Sequence, residues 1–374
     1  MTVIYMNNAA TAWPKAPGTA EAVAEKIDVV SVHPGRGGFE AEDPESDCRQ
    51  LLANLMAVND PARIILTSNA TDALNIALQG FRFNPEDLVL TTVAEHNSVL
   101  RPLHYMKKLK NIKVAYVEVD RSGRVKPDKW AKALKRYKPQ LAVFTHASNV
   151  TGSVNPVEEM AGLAKEVGAA VLLDASQTLG LIEVLPRKWS VDMVAFTGHK
   201  YLLGPPGTGG LYIGPEVDLE PVLVGGTGIL SELEEMPPAL PFRYEAGTPN
   251  TPSFAGLAHA LSWQRENPAP IKEILDRAGR LASGLSALRA QVTSWNGQHT
   301  PVVSFTLPGW PTEDIGEMLQ MSFNVVCRTG LHCAPLVHKY LSDEAGGTIR
   351  FSLSRFNTDT EVDYVISSIG RIIG

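Results

Sequence analysis

Short apolar runs separated by polar stretches recur along the first two thirds of the chain. Seven of these runs have the length of buried β-strands, at positions 63–67, 88–92, 112–117, 141–145, 170–173, 191–196 and 210–213. Amphipathic helical patterns occur between several of them, at positions 20–30, 47–58, 72–79 and 157–167. Alternation of strands and helices predicts an α/β fold with a mostly parallel, doubly wound sheet.

The pattern changes after a proline-rich stretch at 216–250. Two long amphipathic helices, at 254–266 and 271–290, are followed by apolar runs at 302–307, 324–327 and 348–353. This succession predicts a second, smaller α+β unit. We expect a large domain at 14–256 and a small domain built from 1–13, which is predicted to be extended, together with 257–374.

Polar side chains follow several predicted strands at the points where the strands end. Lys200, Asp174, His96 and Asn149 each lie at or just beyond such an end. Because ligands bind at the carboxyl edge of an open α/β sheet, we expect these side chains to share one crevice. The Ala70-Thr71 pair lies at a strand-to-helix junction, where free backbone N–H groups favour a phosphate. A plain helix N-cap is the alternative role for this junction.

The glycine-rich loop GPPGTG at 204–209 resembles the start of a nucleotide-binding loop. That motif requires a lysine and then a serine or threonine, but Gly210 and Leu211 follow here. The group that would neutralise the phosphates and the hydroxyl that would hold magnesium are both missing, so an ATPase is rejected. A dinucleotide site is also disfavoured, because no GxGxxG follows the first strand.

Composition narrows the class of protein further. The chain has 374 residues, a net charge of −6 and interspersed acids and bases, unlike the basic face of a nucleic-acid-binding protein. No apolar run approaches the roughly 20 residues that span a bilayer, and the N-terminal residues lack the pattern of a signal peptide. Three cysteines are too few for a disulfide framework and favour a reducing, cytoplasmic setting. No metal site is predicted.

The residues at the strand ends are those that a pyridoxal phosphate site needs. Lys200 would bond the cofactor aldehyde, and Asp174 would pair with the pyridinium nitrogen, so that the ring can act as an electron sink. An aromatic or imidazole face would cover the ring, and small polar groups and backbone amides, such as those of the 70–71 helix start, would hold the phosphate. Structural roles are the alternatives: Asp174 as a helix cap, His96 and His199 as structural histidines, and Asn149 and Gln177 as turn residues.

With these residues in view, the sequence resembles the class V aminotransferase superfamily of fold-type-I pyridoxal phosphate enzymes. Within it, the chain is similar to cysteine desulfurases and selenocysteine lyases. The resemblance covers nearly the whole chain and is carried by nine segments: NNAAT at 7, SNATDALN at 68, EHNS at 95, SNVTG at 148, LDASQ at 173, TGHK at 197, EAGTPN at 245, RTGLHCAP at 328 and RFSLSRFNT at 350.

The resemblance implies a seven-stranded large domain, a smaller C-terminal domain and a role for each matching residue. His96 would stack on the cofactor ring and shuttle protons, and Thr71, Thr197 and His199 would hold the phosphate. Asn149 and Gln177 would hydrogen-bond the phenolic oxygen of the cofactor, and Asn149 would also face the substrate. Arg350, with Arg328, would bind the substrate carboxylate, although a surface ion pair is the alternative role for Arg350. In such dimers the loop at Gly247-Thr248 reaches the phosphate of the partner subunit.

Cys333 decides which reaction the resemblance implies. It lies in a glycine-containing turn with Arg328 and His332 nearby, and positive neighbours favour the reactive thiolate. The implied function is a cysteine desulfurase that converts L-cysteine to L-alanine and leaves a persulfide on Cys333. Cys48 and Cys327 have no such setting, and we expect them to be structural.

Other functions stay open at this point. A selenocysteine lyase, or another aminotransferase or lyase of the superfamily, would share the cofactor residues. A cofactor-binding regulator would need a DNA-binding module, of which the sequence shows no sign. The segment from Arg328 to Cys333 is short, as in the branch of the family that depends on a dedicated sulfur-acceptor protein. We expect a homodimer, an amino-acid substrate, and neither nucleic acid nor membrane as partner.

Overall fold

A central seven-stranded sheet dominates the structure, a computed structural model that describes residues 3–28, 43–293, 295, 297–341 and 346–374. Its strands are β2 (Ile64–Thr67), β3 (Leu88–Thr92), β4 (Lys113–Val117), β5 (Leu141–Thr145), β6 (Ala170–Asp174), β7 (Met193–Thr197) and β8 (Gly209–Ile213). They are arranged in the order β2-β8-β7-β6-β5-β3-β4. All the neighbouring pairs are parallel except those of β8, which runs antiparallel to β2 and β7. The predicted α/β class and the seven strands are confirmed.

Helices cover both faces of this sheet. The helices are α1 (Thr19–Glu25), α2 (Pro44–Leu55), α3 (Ala70–Gly80), α4 (Asn97–Leu109), α5 (Pro127–Tyr137), α6 (Val157–Glu166), α7 (Thr251–Glu266), α8 (Ile271–Ala287), α9 (Thr312–Phe323) and α10 (Asp359–Ile373). Two short 3₁₀ turns lie at Pro61–Arg63 and Val337–Tyr340. Helices α3 and α4 pack on one face, and α2, α5, α6 and α7 pack on the other.

The double cover explains why the strands are continuous apolar runs. Along β6, Val171 and Leu173 lie in the core with α2, α5, α6 and α7, whereas Leu172 lies in the core with α3 and α4. Both faces of the strand are therefore buried, and only its carboxyl end, at Asp174, is available for function.

A smaller group of strands follows the central sheet. β9 (Gln291–Val292), β10 (Val302–Thr306) and β12 (Ile349–Ser352) form an antiparallel sheet, and β1 (Ile4–Tyr5) pairs in parallel with β11 (Val325–Val326). Met6 packs with α8, α9, α10 and these strands in one core. The N-terminal segment thus packs with the C-terminal elements.

Several helices differ from the sequence prediction at their ends. The helix predicted at 20–30 is seen at Thr19–Glu25 within the described residues, and the one predicted at 47–58 is α2, which begins earlier with Asp43 as its N-cap. Strand β11 is two residues long, where four were expected. No helix in the described parts of the chain is long and apolar enough to cross a membrane.

Candidate active site

Strand β7 delivers Lys200 to the carboxyl edge of the sheet. The strand ends at Thr197, and the N–H of Gly198 then donates to the carbonyl of Thr208 at 2.8 Å. A Cβ on Gly198 would collide with the Thr208 hydroxyl, so only glycine permits this close approach. The next two residues, His199 and Lys200, leave the strand with a fixed direction.

The strand ends enclose a cavity of about 210 Å³. Ten of the residues predicted for the site line it, namely Ala70, Thr71, His96, Asn149, Asp174, Gln177, Thr197, His199, Lys200 and Arg328. The sequence therefore predicted correctly that side chains from β2, β3, β5, β6 and β7 meet at one edge of the sheet.

The start of α3 and the end of β6 both contribute to this cavity. At α3, the side chain of Asn69 accepts from the N–H of Asp72 at 2.9 Å, while Ala70 and Thr71 occupy the first helical positions. Their N–H groups have no intrahelical acceptor, as in any first helical turn. On β6, Asp174 is 4% exposed, and its Oδ1 accepts from the N–H of Ser176 at 2.9 Å. The cavity thus combines an anion-binding helix start with a buried carboxylate.

The amine of Lys200 lies in a strongly perturbed environment. Burial lowers its pKa to about 8, and the positive charges of Arg350 and Arg328 act in the same direction. Asp174 opposes this effect by favouring the ammonium form. A substantial fraction of Lys200 is therefore neutral near pH 8, in the form that accepts a proton or attacks a carbonyl.

His96 combines a structural contact with a place in the cavity. It is the N-cap of α4, where its Nδ1 accepts from the N–H of Ser98 at 3.0 Å. Burial, followed by the charge of Lys200, lowers its pKa to about 4, so the imidazole is neutral at physiological pH. The structural alternative and the predicted functional role are both compatible with this geometry.

Arg350 is a fully buried cation on β12 that does not line the cavity itself. It donates from Nη1 to the carbonyl of Asn149 at 2.8 Å and from Nη2 to Oδ1 of Asn7 at 3.2 Å, whereas its Nε has no partner. Among the described residues, no carboxylate forms an ion pair with it. The alternative of a surface ion pair is excluded, and donors remain available for an anion.

The turn at 328–333 places the Cys333 thiol beside Arg328. Nη2 of Arg328 donates to the sulfur at 3.1 Å, and the Cys333 carbonyl accepts from the N–H of Asn97 at 2.7 Å. Cys333 and His332 both have left-handed backbone conformations, with φ of 60° and 50°. Two successive non-glycine residues of this kind are unusual and indicate a constrained turn. The thiol is half-buried above the start of α4.

The expectation that His332 adds positive charge beside the thiol is wrong. Its ring is buried, and Nε2 lies 2.9 Å from the hydroxyl of Thr348. Burial and the charge of Arg350 hold its pKa far below the usual range, so this histidine is neutral. Its carbonyl instead accepts from Nδ2 of Asn149 at 2.7 Å, which fixes the turn. Arg328 is thus the neighbour that can stabilise a thiolate.

Gly247 and Thr248 lie apart from the 210 Å³ cavity. They line a separate hollow next to the start of α3, together with Glu245. The Glu245 carboxylate accepts from Arg49 at 2.5 and 2.8 Å and from the N–H of Leu66, which fixes the loop. Within one chain, these two residues are not brought to the predicted cofactor.

Some wall residues were not singled out from the sequence. Ala9, Ala10, Ser98 and Ser176 line the cavity, and Nε2 of Gln177 donates to the carbonyl of Ala9 at 3.1 Å. The NNAAT motif pointed to the N-terminal segment. Because this segment is far along the chain from the strand ends, the sequence did not indicate that it lies beside the cavity. All three cysteines are free. Burial raises the pKa of the thiols of Cys48 and Cys327, so neither is poised for reaction.

Comparison with known proteins extends this picture. The sequence profile of the aminotransferase class-V family matches residues 4–365. The chain belongs to the class-V aminotransferase family. The resemblance inferred from the motifs is thereby confirmed at the level of the family.

Two relatives align with almost the whole length of this chain. It is 30% identical over 385 residues to a probable cysteine desulfurase of Methanothermobacter thermautotrophicus, covering 99% of this chain and 95% of the relative. It is 32% identical over 393 residues to a probable cysteine desulfurase of Pyrococcus abyssi, with coverage of 99% and 94%.

Solved structures agree with the fold of this class-V aminotransferase family member. The apo cysteine desulfurase of Thermococcus onnurineus superposes with a TM-score of 0.90 at 29% identity, covering 99% of this chain and 94% of that one. The cysteine desulfurase CsdA of Escherichia coli, in an S-sulfonic acid form, superposes with a TM-score of 0.86 at 25% identity, with the same coverage. The predicted fold class is confirmed.

Proposed function

We propose that the protein is a pyridoxal phosphate-dependent cysteine desulfurase. The observation that carries this proposal is the Cys333 thiol, which receives a hydrogen bond from Arg328, a residue that lines the cavity together with Lys200. An aminotransferase needs the lysine but has no use for the thiol. The relatives and structural neighbours named as cysteine desulfurases support the same reaction.

The residues of the cavity fit pyridoxal phosphate. The α3 start at Ala70 and Thr71, together with Thr197 and His199, would hold the phosphate, and Asp174 would hold the ring nitrogen. Oε1 of Gln177 is buried without a partner, which suits a hydroxyl on the ring. When bound, the cofactor supplies a conjugated cationic ring that accepts the electron pair left on Cα after proton removal.

Two arginines would bind the substrate through its carboxylate. Arg350 is buried and has no acidic partner among the described residues, and Arg328 lines the cavity wall. A guanidinium presents two parallel N–H donors, which match the two oxygens of a carboxylate. Arg328 lies next to Cys333, so a carboxylate bound there would bring the substrate close to the thiol.

Lys200 would act as the base at Cα. Its pKa of about 8 places the neutral amine within reach of physiological pH, and burial excludes the water that would otherwise hold it as ammonium. His96 is neutral and hydrogen-bonded through Nδ1, so its ring is fixed beside the same position.

The Cys333 thiolate would then attack the sulfur of the substrate. A sulfur–sulfur bond forms as the Cβ–sulfur bond breaks, and Cβ takes up hydrogen, so the products are alanine and a persulfide on Cys333. The substrate carbon is reduced while the two sulfurs are oxidised, so this half-reaction needs no external oxidant. The short 328–333 turn supports transfer of the persulfide sulfur to a dedicated acceptor protein.

A homodimer would complete the site. The segment after β8 exposes apolar side chains, with Leu223 at 59% and Val224 at 69%, as an interface requires. Gly247 and Thr248 lie near this segment and do not line the cavity that contains Lys200 in the same chain. This position supports a role at the site of the partner subunit. The domain division at 14–256, with 1–13 and 257–374, and a reducing cytoplasmic location are parts of the same proposal.

Replacing Thr248 with alanine is expected to raise the dissociation constant of pyridoxal phosphate about fivefold, the effect of one lost hydrogen bond. Co-expression of Thr248→Ala with Lys200→Ala subunits tests whether Thr248 acts on the partner. If it does, the mixed dimer regains one site with both native residues and wild-type affinity, measured by absorbance titration. A mixed dimer no better than Thr248→Ala alone would refute this role.

Replacing Arg350 with lysine is expected to raise KM for L-cysteine about 30-fold, because a lysine cannot make the bidentate contact. The substrate analogue cysteamine, which lacks the carboxylate, should be turned over equally by the variant and the wild type. Arg355→Lys is the matched control, since Arg355 stacks on Trp263 at 4.5 Å, away from the cavity. An equal loss with cysteamine would argue against carboxylate binding.

The proposed reaction is tested by a product assay on the purified protein loaded with pyridoxal phosphate. We expect equal amounts of alanine and reducible sulfur from L-cysteine, and no keto acid. Formation of a keto acid from cysteine or alanine, without sulfur release, would instead establish an aminotransferase.

A further inference from the structure

The sheet opens between β3 and β5. These neighbours pair only at Val89 with Leu141 and at Leu90 with Ala142. By contrast, β3 stays paired with β4, and β5 with β6, up to their carboxyl ends. The chain order also reverses here, because β4 and β5 lie on opposite sides of β3. Such reversals create the crevice in which α/β proteins bind ligands.

Glu95 fills the opened gap. Its side chain is fully buried, and its Oε1 accepts from the hydroxyl of Thr92 on β3 and from the N–H of Thr145 on β5 at 3.2 Å. One carboxyl oxygen thus ties together the two strand ends that no longer pair through their backbones. The residue immediately after it is His96, which lines the cavity.

The charge state of Glu95 suits this position. Burial, with a contribution from the negative charge of Asp174, raises its pKa to about 8, whereas its hydrogen bonds act in the opposite direction. Its Oε2 is buried without a partner and is the natural place for the proton. A neutral Glu95 adds no negative charge beside Asp174, whose own charge is needed at the ring nitrogen.

We propose that Glu95 is a positioning residue for the reaction: its side chain closes the gap between β3 and β5 and fixes the turn that holds His96 over the cavity. The part that concerns His96 rests on the proposed function, because there the imidazole would cover the cofactor ring. The charged groups that act on His96 are Lys200, Asp174, Arg328 and Arg101, from separate parts of the fold.

Two variants of Glu95 and one control separate positioning from plain stability. Glu95→Gln keeps the shape and the acceptor oxygen but cannot ionise, whereas Glu95→Ala leaves two buried donors without an acceptor. Asp192→Asn is the control, because Asp192 is also a buried carboxylate that accepts from a strand N–H, that of Val171 at 2.7 Å. It lies at the opposite end of the sheet, just before β7.

The first measurement is the visible circular dichroism of bound pyridoxal phosphate, which depends on how the ring is held. We expect Glu95→Ala to lose most of this signal and to bind the cofactor about tenfold more weakly. Glu95→Gln should restore both properties, and Asp192→Asn should keep both while losing stability. A Glu95→Ala protein with the wild-type signal and affinity would overturn the proposal, and so would a Glu95→Gln protein as impaired as Glu95→Ala.

The second measurement is urea unfolding of the cofactor-free protein at pH 5.5 and pH 8. Because the pKa of Glu95 is higher in the folded state than in the unfolded state, protonated Glu95 stabilises the fold. This contribution is complete below the unfolded pKa of about 4.3. This stabilisation is lost as pH rises toward the folded value of about 8. The urea concentration at the unfolding midpoint of the wild type should therefore decrease from pH 5.5 to pH 8, relative to that of Glu95→Gln. A constant difference would show that burial does not hold Glu95 neutral. Equal midpoints for Glu95→Ala and Glu95→Gln would show that the acceptor oxygen does not join the two strand ends and would overturn the proposal.

The two measurements distinguish failure of this inference from failure of the proposed function. A wild-type protein that binds the cofactor but makes no alanine would refute the proposed desulfurase activity. The role of Glu95 would still be tested by the circular dichroism of its variants. If the wild type bound no cofactor, the unfolding experiment alone would decide whether Glu95 closes the gap. If Glu95→Ala does not fold, Glu95→Gln and the pH comparison provide the test.

Discussion

Alanine in place of Cys333 is expected to lower the rate of alanine and sulfide formation from L-cysteine about 1000-fold or more, since the variant lacks the attacking nucleophile. Binding of pyridoxal phosphate should be unchanged in affinity and absorbance, because the hydrogen-bond partners of Cys333 are Arg328 and the N–H of Asn97, neither of which is a predicted cofactor residue. The measurement pairs a product assay with an absorbance titration on the same preparation.

Cys327→Ala is the matched control for this experiment. Cys327 lies six residues before Cys333 in the sequence, and burial raises the pKa of its thiol to about 12. Its removal should leave sulfur release within a factor of about three of the wild type. Sulfur release from Cys333→Ala at the wild-type rate would show that another group accepts the sulfur, and the proposed mechanism would fail.

Alanine in place of Lys200 is expected to abolish turnover, with a loss of about 10,000-fold from the missing base. The visible absorbance that pyridoxal phosphate shows when bonded to a lysine should disappear as well. The cofactor could still bind through its phosphate and ring nitrogen, so fluorescence or retained mass would show weaker, non-covalent binding. The expected loss depends on the position of this amine, which lines the cavity together with Asp174 and has a pKa lowered by burial to about 8.

Lys15 provides the control for Lys200. Burial also lowers its pKa to about 8, and its Nζ donates to the carbonyl of His199 at 2.7 Å. Lys15→Ala should therefore retain the visible absorbance, whatever its effect on stability. Loss of the absorbance in Lys15→Ala, but not in Lys200→Ala, would transfer the covalent role to Lys15 and overturn the assignment.

Much of the fold followed from local sequence patterns. Most strands of the central sheet were predicted because they are apolar runs of about five residues, which is how a strand buried on both faces looks. The edge strand β4 is the exception, since it contains Lys113 and is partly exposed. Helices α4 and α5 were not predicted. Proline at position 102 interrupts the pattern of α4. By contrast, α5 has the pattern of an amphipathic helix, with Pro127 in its first turn and Trp130 and Leu134 buried one turn apart, and this signal was missed.

The site was predicted where side chains follow strands, and less well where distant segments meet. Lys200, Asp174 and His96 were placed correctly because the carboxyl ends of parallel strands share one edge. The neutrality of His332 and the anchoring of Arg350 by Asn7 depend on contacts between residues far apart in the chain. Glu95 belongs to the EHNS motif, but no sequence pattern indicates that its side chain is buried between two diverging strands.

Arg350 and Cys333 are joined by a short chain of contacts through Asn149. The backbone carbonyl of Asn149 accepts from Arg350, and its side chain donates to the carbonyl of His332, the residue before the thiol. A redesign of this enzyme for a different amino acid would have to take these contacts into account. If Arg350 binds the substrate carboxylate as proposed, moving its guanidinium to admit a longer acid would also move the turn that carries Cys333. Specificity and chemistry would then have to be re-engineered together.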